Sequence, residues 1–348
     1  MKTLILPKMI YGYNSINELR CIVEKYDTVL YLIDSFFKND MLKEKIYIRK
    51  KDVTIFIDVT NEPRTSYVDS IIQSLKKNII SPDLIIAIGG GSTLDIGKAV
   101  SIILMNGGLC KDYQGWDLVK KKGIYKIGIP TISGTGAEVS RTAVMISEIQ
   151  KLGINSDYSV FDLIILDPSF LQTVPNEQYF YTAMDCFIHC VESIKGTFIN
   201  EFSRSYSEKA IELCREVFLN KKISERDAKI MMASYFGGCA IYYSETGICH
   251  ALSYGLSFIL NIHHGIGNCI VFNVLDDFYG DYVNEFRKMA EFNSIKIPKG
   301  IMNNVGDNLL DKMVELTLKM EKPLTNAFGG EWSKIMTKQK IKELYKTM

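Results

Sequence analysis

Residues 84–105, LIIAIGGGSTLDIGKAVSIILM, join an apolar run to a glycine turn and a segment with helical spacing. The run LIIAI (84–88) has no polar position, as is typical of a parallel strand covered on both faces. Three glycines follow it at once, and apolar residues then recur at the spacing of a helix. A strand, a tight turn and a helix in this order predict one unit of a parallel α/β domain.

Further apolar runs extend this alternation on both sides. Strands are predicted at 28–33, 53–57 and 124–129, with 143–147 and 163–166 as additional candidates, and helix-like segments at 67–77 and from Ser35. After Asp167-Pro168 and Pro175 the pattern becomes helical throughout. We therefore predict an α/β fold in which an N-terminal parallel-sheet domain (1–170) precedes an all-helical C-terminal domain (171–348), with the boundary near 168–176.

Composition excludes several classes of function. The 348 residues are 47% apolar and 23% charged, and 41 basic against 40 acidic residues leave a net charge of +1. This balance indicates no nucleic-acid or anionic-membrane partner. The N-terminus does not resemble a secretory signal and no long apolar run occurs, so we expect a cytoplasmic protein. Eight cysteines without a CxxC pair are expected to be reduced.

The glycine turn after residue 88 is a candidate phosphate site. Backbone amides at a helix N-terminus attract anions, and α/β sheets bind ligands at the carboxyl ends of their strands. A tight packing turn without a ligand is the alternative. The three-residue spacing of Ser92 and Asp95 predicts a capping pair at the start of the helix. A second polar loop, PTISGTGAE (130–138), suits a diphosphate or nicotinamide ribose. Asp34, at the end of the first predicted strand, either binds the adenosine ribose or caps the next helix.

Histidines concentrate in the second half of the chain. His250, His263 and His264 lie within residues 247–268, and His189 follows Asp185 by four residues, which places both on one helical face. His250 and His264 are fourteen residues apart, or about 21 Å on one straight helix. They can share an ion only if the helix breaks between them, for which Asn261 and Gly265 offer places. A carboxylate with imidazoles suits Fe or Zn. Local pairing without a metal is the alternative.

The motifs IAIGGGSTLDIGKAV, PTISGTGAEVS, LDPSFLQTVP, MDCFIHCVES and the His250…His264-Gly265 pair resemble the iron-type (group III) metal-dependent alcohol dehydrogenases. That superfamily includes glycerol dehydrogenases and has the dehydroquinate synthase-like fold. The resemblance implies an NAD-dependent enzyme with one divalent metal, Fe or Zn. It also implies that the N-terminal domain (1–170) is dinucleotide-binding and that the helical C-terminal domain (171–348) is metal-binding. Carried over by position, it implies metal ligands Asp185, His189, His250 and His264, and cofactor-binding residues Asp34, Gly89, Gly90, Gly91, Ser92, Asp95, Thr131, Ser133 and Thr135.

One position departs from the family pattern. Many members carry a histidine four residues after the third ligand, where this chain has Tyr254. Helical spacing still directs Tyr254 toward the site, so we expect it to be a catalytic residue that shapes the pocket or relays a proton. A phenol is a weaker base than imidazole at neutral pH, which leaves the relay role open.

A narrower resemblance concerns the substrate. YQGWDLV, GIPTISGTGAEVSRT, GINSDYSVFD, HALSYGL and HHGIGNC are most similar to the 3-deoxy-manno-octulosonate (Kdo) 8-oxidases. It implies oxidation of the C8 alcohol of Kdo to an aldehyde, ahead of amination for lipopolysaccharide biosynthesis. Arg141 or Asn155-Ser156 would hold the sugar carboxylate, unless Arg141 pairs with Glu138 or another carboxylate. The alternatives are a dehydrogenase of another polyol or simple alcohol, an NAD-using cyclase or lyase of the dehydroquinate synthase type, and a non-catalytic sensor.

The expected partners follow from this interpretation. They are a small-molecule sugar acid and, as an alternative that the sequence leaves open, a second copy of the chain in a homodimer.

Overall fold

The computed structural model describes residues 5–39 and 45–348 and divides into two compact units. The first unit contains the residues up to Ser133 together with Ala137–Val174. The second contains Gly134–Gly136 and Pro175–Met348. The predicted division between residues 170 and 171 remains a prediction, although the units part close to it.

A parallel six-stranded sheet forms the centre of the first unit, in the strand order β1-β9-β6-β4-β2-β3. A smaller sheet, β5-β8-β7, combines a parallel and an antiparallel pair. The strands are β1 (Lys8–Tyr11), β2 (Val29–Asp34), β3 (Val53–Ile57), β4 (Leu84–Gly89), β5 (Gly115–Trp116), β6 (Tyr125–Pro130), β7 (Thr142–Ile146), β8 (Lys151–Asn155) and β9 (Leu163–Leu166).

Helices cover the large sheet because its central strands are apolar on both faces. Leu30, Leu32 and Ile85 pack with residues of the helices at 65–77 and 91–106, whereas Tyr31 and Ile86 belong to a separate apolar cluster. Within residues 5–39 and 45–174, the α-helices that the structure describes are α1 (Leu19–Val23), α2 (Thr65–Lys77) and α3 (Gly91–Asn106). The helix predicted from Ser35 is a 3-10 turn, Ser35–Asn39, and its continuation falls outside the described residues.

The second unit is helical in all its regular elements, as predicted. They are α4 (Asn176–Lys195), α5 (Glu201–Phe218), α6 (Arg226–Tyr243), α7 (Ile248–Leu260), α8 (His264–Phe272), α9 (Asp276–Tyr279), α10 (Asp281–Phe292), α11 (Asp307–Leu318), α12 (Glu321–Phe328), α13 (Trp332–Ile335) and α14 (Lys338–Lys346). Across the described part of the chain, no helix combines the length and apolar character needed to cross a bilayer.

Candidate functional site

Three helices of the second unit carry the predicted metal ligands. Asp185 and His189 lie on α4, His250 lies in the first turn of α7, and His264 opens α8. The required break between α7 and α8 is present: α7 ends at Leu260, and the next residue, Asn261, has a left-handed backbone conformation with φ of 53°. Gly265 is not part of the break, because it already lies within α8. A single left-handed residue therefore brings His264 back toward His250.

The imidazoles converge on one buried carboxylate. The Nε2 atoms of His250 and His189 lie 3.3 and 3.7 Å from Asp185 Oδ1, and that of His264 lies 3.7 Å from Oδ2. The ligand atoms of Asp185, His250 and His264 all lie within 4.8 Å of one another. His189 is not one of these three residues, but its Nε2 contacts Asp185 Oδ1 and its ring stacks on that of His250, at 4.5 Å between centroids.

These distances fit a divalent metal. Ligand atoms at 2.0–2.1 Å from a tetrahedral metal are about 3.4 Å apart, close to the separations between Asp185 and the three imidazoles. Asp185 Oδ2 and His189 Nδ1 are buried and have no hydrogen-bond partner among the described residues. A buried polar atom without a partner is costly unless something else satisfies it. The residues present therefore fit a bound cation at Asp185.

Electrostatics inside the cluster point the same way. Burial alone would raise the pKa of Asp185, but the charges of His189 and His264 and a hydrogen bond from His250 lower it well below its ordinary value. Burial lowers the pKa of His189 to about 4, against the opposing effect of Asp185. Burial would also lower the pKa of His250, but Glu192 and Asp185 raise it to about 10. The site keeps its carboxylates ionised and so favours positive charge.

Two contributors to this site were not predicted from the sequence. Glu192 lies on the same face of α4 as Asp185 and His189, and its carboxylate contacts His250 Nδ1 at 2.5 Å. The side-chain amide of Asn268 lies between the ligands, with Nδ2 2.6 Å from Asp185 Oδ1 and 3.1 and 3.2 Å from the Nε2 atoms of His250 and His264. The available signals were helical spacings, seven residues from Asp185 to Glu192 and four from His264 to Asn268.

Tyr254 lies one helical turn after His250 on α7, and its ring centroid is 6.3 Å from that of His264. The side chain is partly buried. Its phenol is therefore adjacent to the predicted metal ligands, as the four-residue helical spacing from His250 predicted. Its catalytic role remains a prediction.

Two glycines of the turn in the first unit, Gly89 and Gly90, have no room for a side chain. A Cβ on Gly89 would lie 2.6 Å from Thr93 Oγ1 and 3.0 Å from Asp34 Cβ, and one on Gly90 would lie 2.7 Å from Ile132 Cδ1. Gly89 ends β4, and Gly90 is the N-cap of α3. The backbone amides of the first turn of α3, including Gly91 and Ser92, thus begin directly at the carboxyl end of a buried strand, where anions bind.

The predicted capping pair at this helix is wrong. The helix α3 begins at Gly91, so Ser92 already lies inside it, and its N-terminus has no side-chain cap. Asp95 turns inward instead, where its carboxylate accepts hydrogen bonds from Lys98 Nζ at 3.2 Å and from the Val144 amide at 2.9 Å. The Asp95 carboxylate is thus bonded to the buried Lys98 rather than to the amides at the start of the helix. Contact of Asp95 with a cofactor remains a prediction.

The other predicted cofactor residues fall in two groups. Asp34 ends β2 beside the glycine turn, and its Oδ1 accepts a hydrogen bond from the Phe36 amide. The proposed capping of the following turn therefore occurs, and burial raises the pKa of this carboxyl. Thr131 and Ser133 are buried in the first unit, where the Thr131 amide bonds to Gly89 O. Thr135 belongs to the second unit.

A glycine-turn α/β unit followed by a helical unit with a carboxylate–imidazole cluster defines a class of metal- and nucleotide-dependent enzymes. Comparison with known proteins specifies the family. The sequence model of iron-containing alcohol dehydrogenases matches residues 7–168, and that of the family's C-terminal part matches residues 179–328. The chain belongs to the iron-containing alcohol dehydrogenase family, whose members are metal- and NAD-dependent oxidoreductases.

Individual relatives agree with this assignment. Long-chain-alcohol dehydrogenase 1 of Geobacillus thermodenitrificans is 32% identical over 227 residues, 63% of this chain but only 57% of the relative's own length. An alcohol dehydrogenase from Oenococcus oeni has the same fold, with a TM-score of 0.83 at 21% identity over 99% of both chains. The sulfoacetaldehyde reductase of Bifidobacterium kashiwanohense, solved with NAD+, also has this fold. Its TM-score is 0.80 at 20% identity, over 99% of this chain and 98% of that one.

Proposed function

We propose that this protein oxidises a primary alcohol to an aldehyde by hydride transfer to NAD, with one divalent metal held by Asp185, His189, His250 and His264. The observation that carries the proposal is the convergence of three imidazole Nε2 atoms on the buried Asp185 carboxylate, at 3.3–3.7 Å. Membership of the iron-containing alcohol dehydrogenase family supports the same chemistry.

Different residues of the chain have separate roles in this proposed reaction. A divalent ion held there would lower the pKa of a bound alcohol, and NAD would accept the hydride. Asp185 and the imidazoles bind and orient the ion, and Tyr254 lines the substrate side beside His264. Gly89, Gly90 and Gly91 let the cofactor diphosphate approach the backbone, while Asp34 binds the adenosine ribose and repels a 2′-phosphate.

For the substrate we propose Kdo, oxidised at C8. The support is the set of sequence motifs shared with the Kdo 8-oxidases, from YQGWDLV (113–119) to HHGIGNC (263–269). The structure favours the alternative interpretation of Arg141, whose guanidinium forms ion pairs with Asp157 and Asp117. The Asn155 side chain is likewise engaged with Thr142 and with the Gly115 and Gly153 carbonyls. Arg141 and Asn155 therefore make contacts within the first unit, and neither is proposed as a ligand of the sugar carboxylate.

The deciding assay supplies NAD, Fe²⁺ or Zn²⁺ and one candidate alcohol, and follows NADH with trapping of the aldehyde. Kdo should exceed glycerol, 1,3-propanediol and butanol in kcat/KM, because binding of the remote carboxylate contributes to the transition state. Sulfoacetaldehyde with NADH belongs in the panel, since one structural relative reduces it. A simple diol with the higher kcat/KM would remove the Kdo assignment and keep the dehydrogenase, whereas conversion without NADH release would favour a lyase.

A further inference from the structure

Glu192 occupies a buried position behind one of the predicted metal ligands. It lies on α4, three residues after His189, and its carboxylate is fully buried. Oε2 contacts His250 Nδ1 at 2.5 Å. Oε1 accepts hydrogen bonds from the amides of Cys249 and His250, at 2.7 and 3.3 Å, and from the Tyr279 hydroxyl, at 3.2 Å. One carboxylate thus holds the first turn of α7 and the ring of its histidine.

We propose that Glu192 is a positioning residue that fixes the tautomer of His250, so that the Nε2 lone pair points at the metal site. An ionised carboxylate only accepts hydrogen bonds, so the ring nitrogen facing Oε2 must be the one that carries the proton. If a metal took the place of the proton on Nε2, the remaining proton would be the one on Nδ1, and the lone pair would lie on Nε2, which is 3.3 Å from Asp185 Oδ1. Metals bind that lone pair, and an outer carboxylate makes the ring a stronger ligand.

Replacement of Glu192 by Gln separates this role from helix capping. The two amides of α7 and the Tyr279 hydroxyl all donate to one oxygen, so the Gln carbonyl must occupy that side. The Gln amide nitrogen then faces His250 Nδ1 and donates to it. This forces the imidazole proton onto Nε2, where it excludes the metal. The substitution keeps size and capping but reverses the tautomer.

The first measurement is zinc affinity by competition with a chelator. Relative to the wild type, Glu192→Gln should bind zinc about 10- to 100-fold more weakly, the usual effect of losing such an outer partner. Glu192→Asp, which keeps an acceptor, should recover part of the affinity. Tyr279→Phe is the matched control, because it removes one hydrogen bond to the same carboxylate without touching His250. A Tyr279→Phe loss as large as that of Glu192→Gln would overturn the proposal in favour of a packing role.

The second measurement does not use the Glu192 variants. Long-range ¹H–¹⁵N NMR of the zinc-loaded wild type should show His250 with its proton on Nδ1, assigned by comparison with the spectra of His263→Ala, His189→Gln and His264→Gln. A proton on Nε2 of His250 would overturn the proposal. The inference rests on the proposed metal site, and the two fail differently. Absence of zinc binding in the wild type removes the site, whereas tight binding by Glu192→Gln removes only the role of Glu192.

Discussion

His263 and His264 are adjacent in sequence but different in surroundings, and they provide a matched test of the metal site. His264 Nε2 lies 3.7 Å from Asp185 Oδ2, whereas His263 is the exposed N-cap residue of α8. We expect His264→Ala to lose both the ion and NADH production, because a ligand is removed. His263→Ala should keep both. Elemental analysis that finds full metal content in His264→Ala would contradict the assignment.

Tyr254 tests whether the phenol beside the ligands takes part in turnover. Tyr254→Phe retains the ring next to His264 and removes only the hydroxyl. We expect kcat to fall while the metal content stays that of the wild type, since the hydroxyl contacts substrate or proton rather than the ion. Steady-state kinetics and metal analysis on one preparation measure both. Identical kinetics in the two proteins would reduce Tyr254 to a packing residue.

Asp34 determines the expected cofactor preference. Its carboxylate at the end of β2 is predicted to repel a 2′-phosphate, so the wild type should favour NAD over NADP. Asp34→Ser should narrow this preference, mainly through better use of NADP. The ratio of kcat/KM for the two cofactors measures the change. Equal use of NAD and NADP by the wild type would show that Asp34 does not discriminate.

At the scale of residues, sequence spacing was informative only within helices. The four-residue step from Asp185 to His189 predicted a shared face, which α4 has. The contact of Glu192 with His250 crosses from α4 to α7, and no local periodicity encodes it. Asp95 shows the opposite case: its spacing from Ser92 suggested a cap, but the buried Lys98 provides a stronger partner.

At the scale of elements, the approach of Gly134 to α4 gives a sharp prediction. Gly134 has φ of 150°, and a Cβ there would lie 1.6 Å from the Thr182 carbonyl oxygen, three residues before Asp185. Gly134→Ala should therefore lower the melting temperature and weaken metal binding by displacing α4. Gly12→Ala is the control for backbone strain alone, because Gly12 has φ of 138° and no described atom within 4 Å of its Cβ position. Equal decreases in the melting temperature of Gly134→Ala and Gly12→Ala would exclude a steric clash with Thr182 as the cause.

The strands at 29–34, 53–57, 84–89, 125–130, 142–146 and 163–166 match the predicted ones, because continuous apolar runs in a doubly covered sheet are distinctive. The strands β1, β5 and β8 were not predicted. β1 lies at the edge of the sheet with exposed side chains at Met9 and Tyr11, and β5 has two residues. Neither β1 nor β5 carries an apolar pattern of its own, so the pairing of these two strands depends on partners distant in sequence.

At the scale of the whole molecule, one buried cation should govern part of the pH dependence of stability. Lys126 Nζ is buried, 3.9 Å from Asp162 Oδ2, and has no hydrogen-bond partner among the described residues. Burial lowers the pKa of Lys126 to about 8, whereas an unfolded lysine titrates near 10.4. Between these two pKa values Lys126 is protonated in the unfolded chain but not in the folded protein, so the free energy of unfolding rises with pH. Below pH 8 the lysine is charged in both states, and its burial lowers the free energy of unfolding by the full amount.

Lys126→Met should remove this penalty. We expect a gain of about 1–3 kcal/mol in the free energy of unfolding at pH 7, declining as the pH rises toward 10.4. Urea titrations at several pH values measure it. Lys122→Met is the control, because Lys122 pairs with the same Asp162 but is 61% exposed, and it should have little effect. A destabilised Lys126→Met protein at pH 7 would show that the lysine is satisfied where it lies.

The segment Gly134–Gly136 belongs to the second unit, although the chain on either side of it belongs to the first. The polypeptide therefore passes between the units three times, after Ser133, after Gly136 and after Val174. No single proteolytic cut can release an intact second unit. A fragment of residues 175–348 would lack the glycines that lie against Thr182 and Gly238. Gene fusions or split versions of this enzyme should therefore keep residues 134–136 with the C-terminal half.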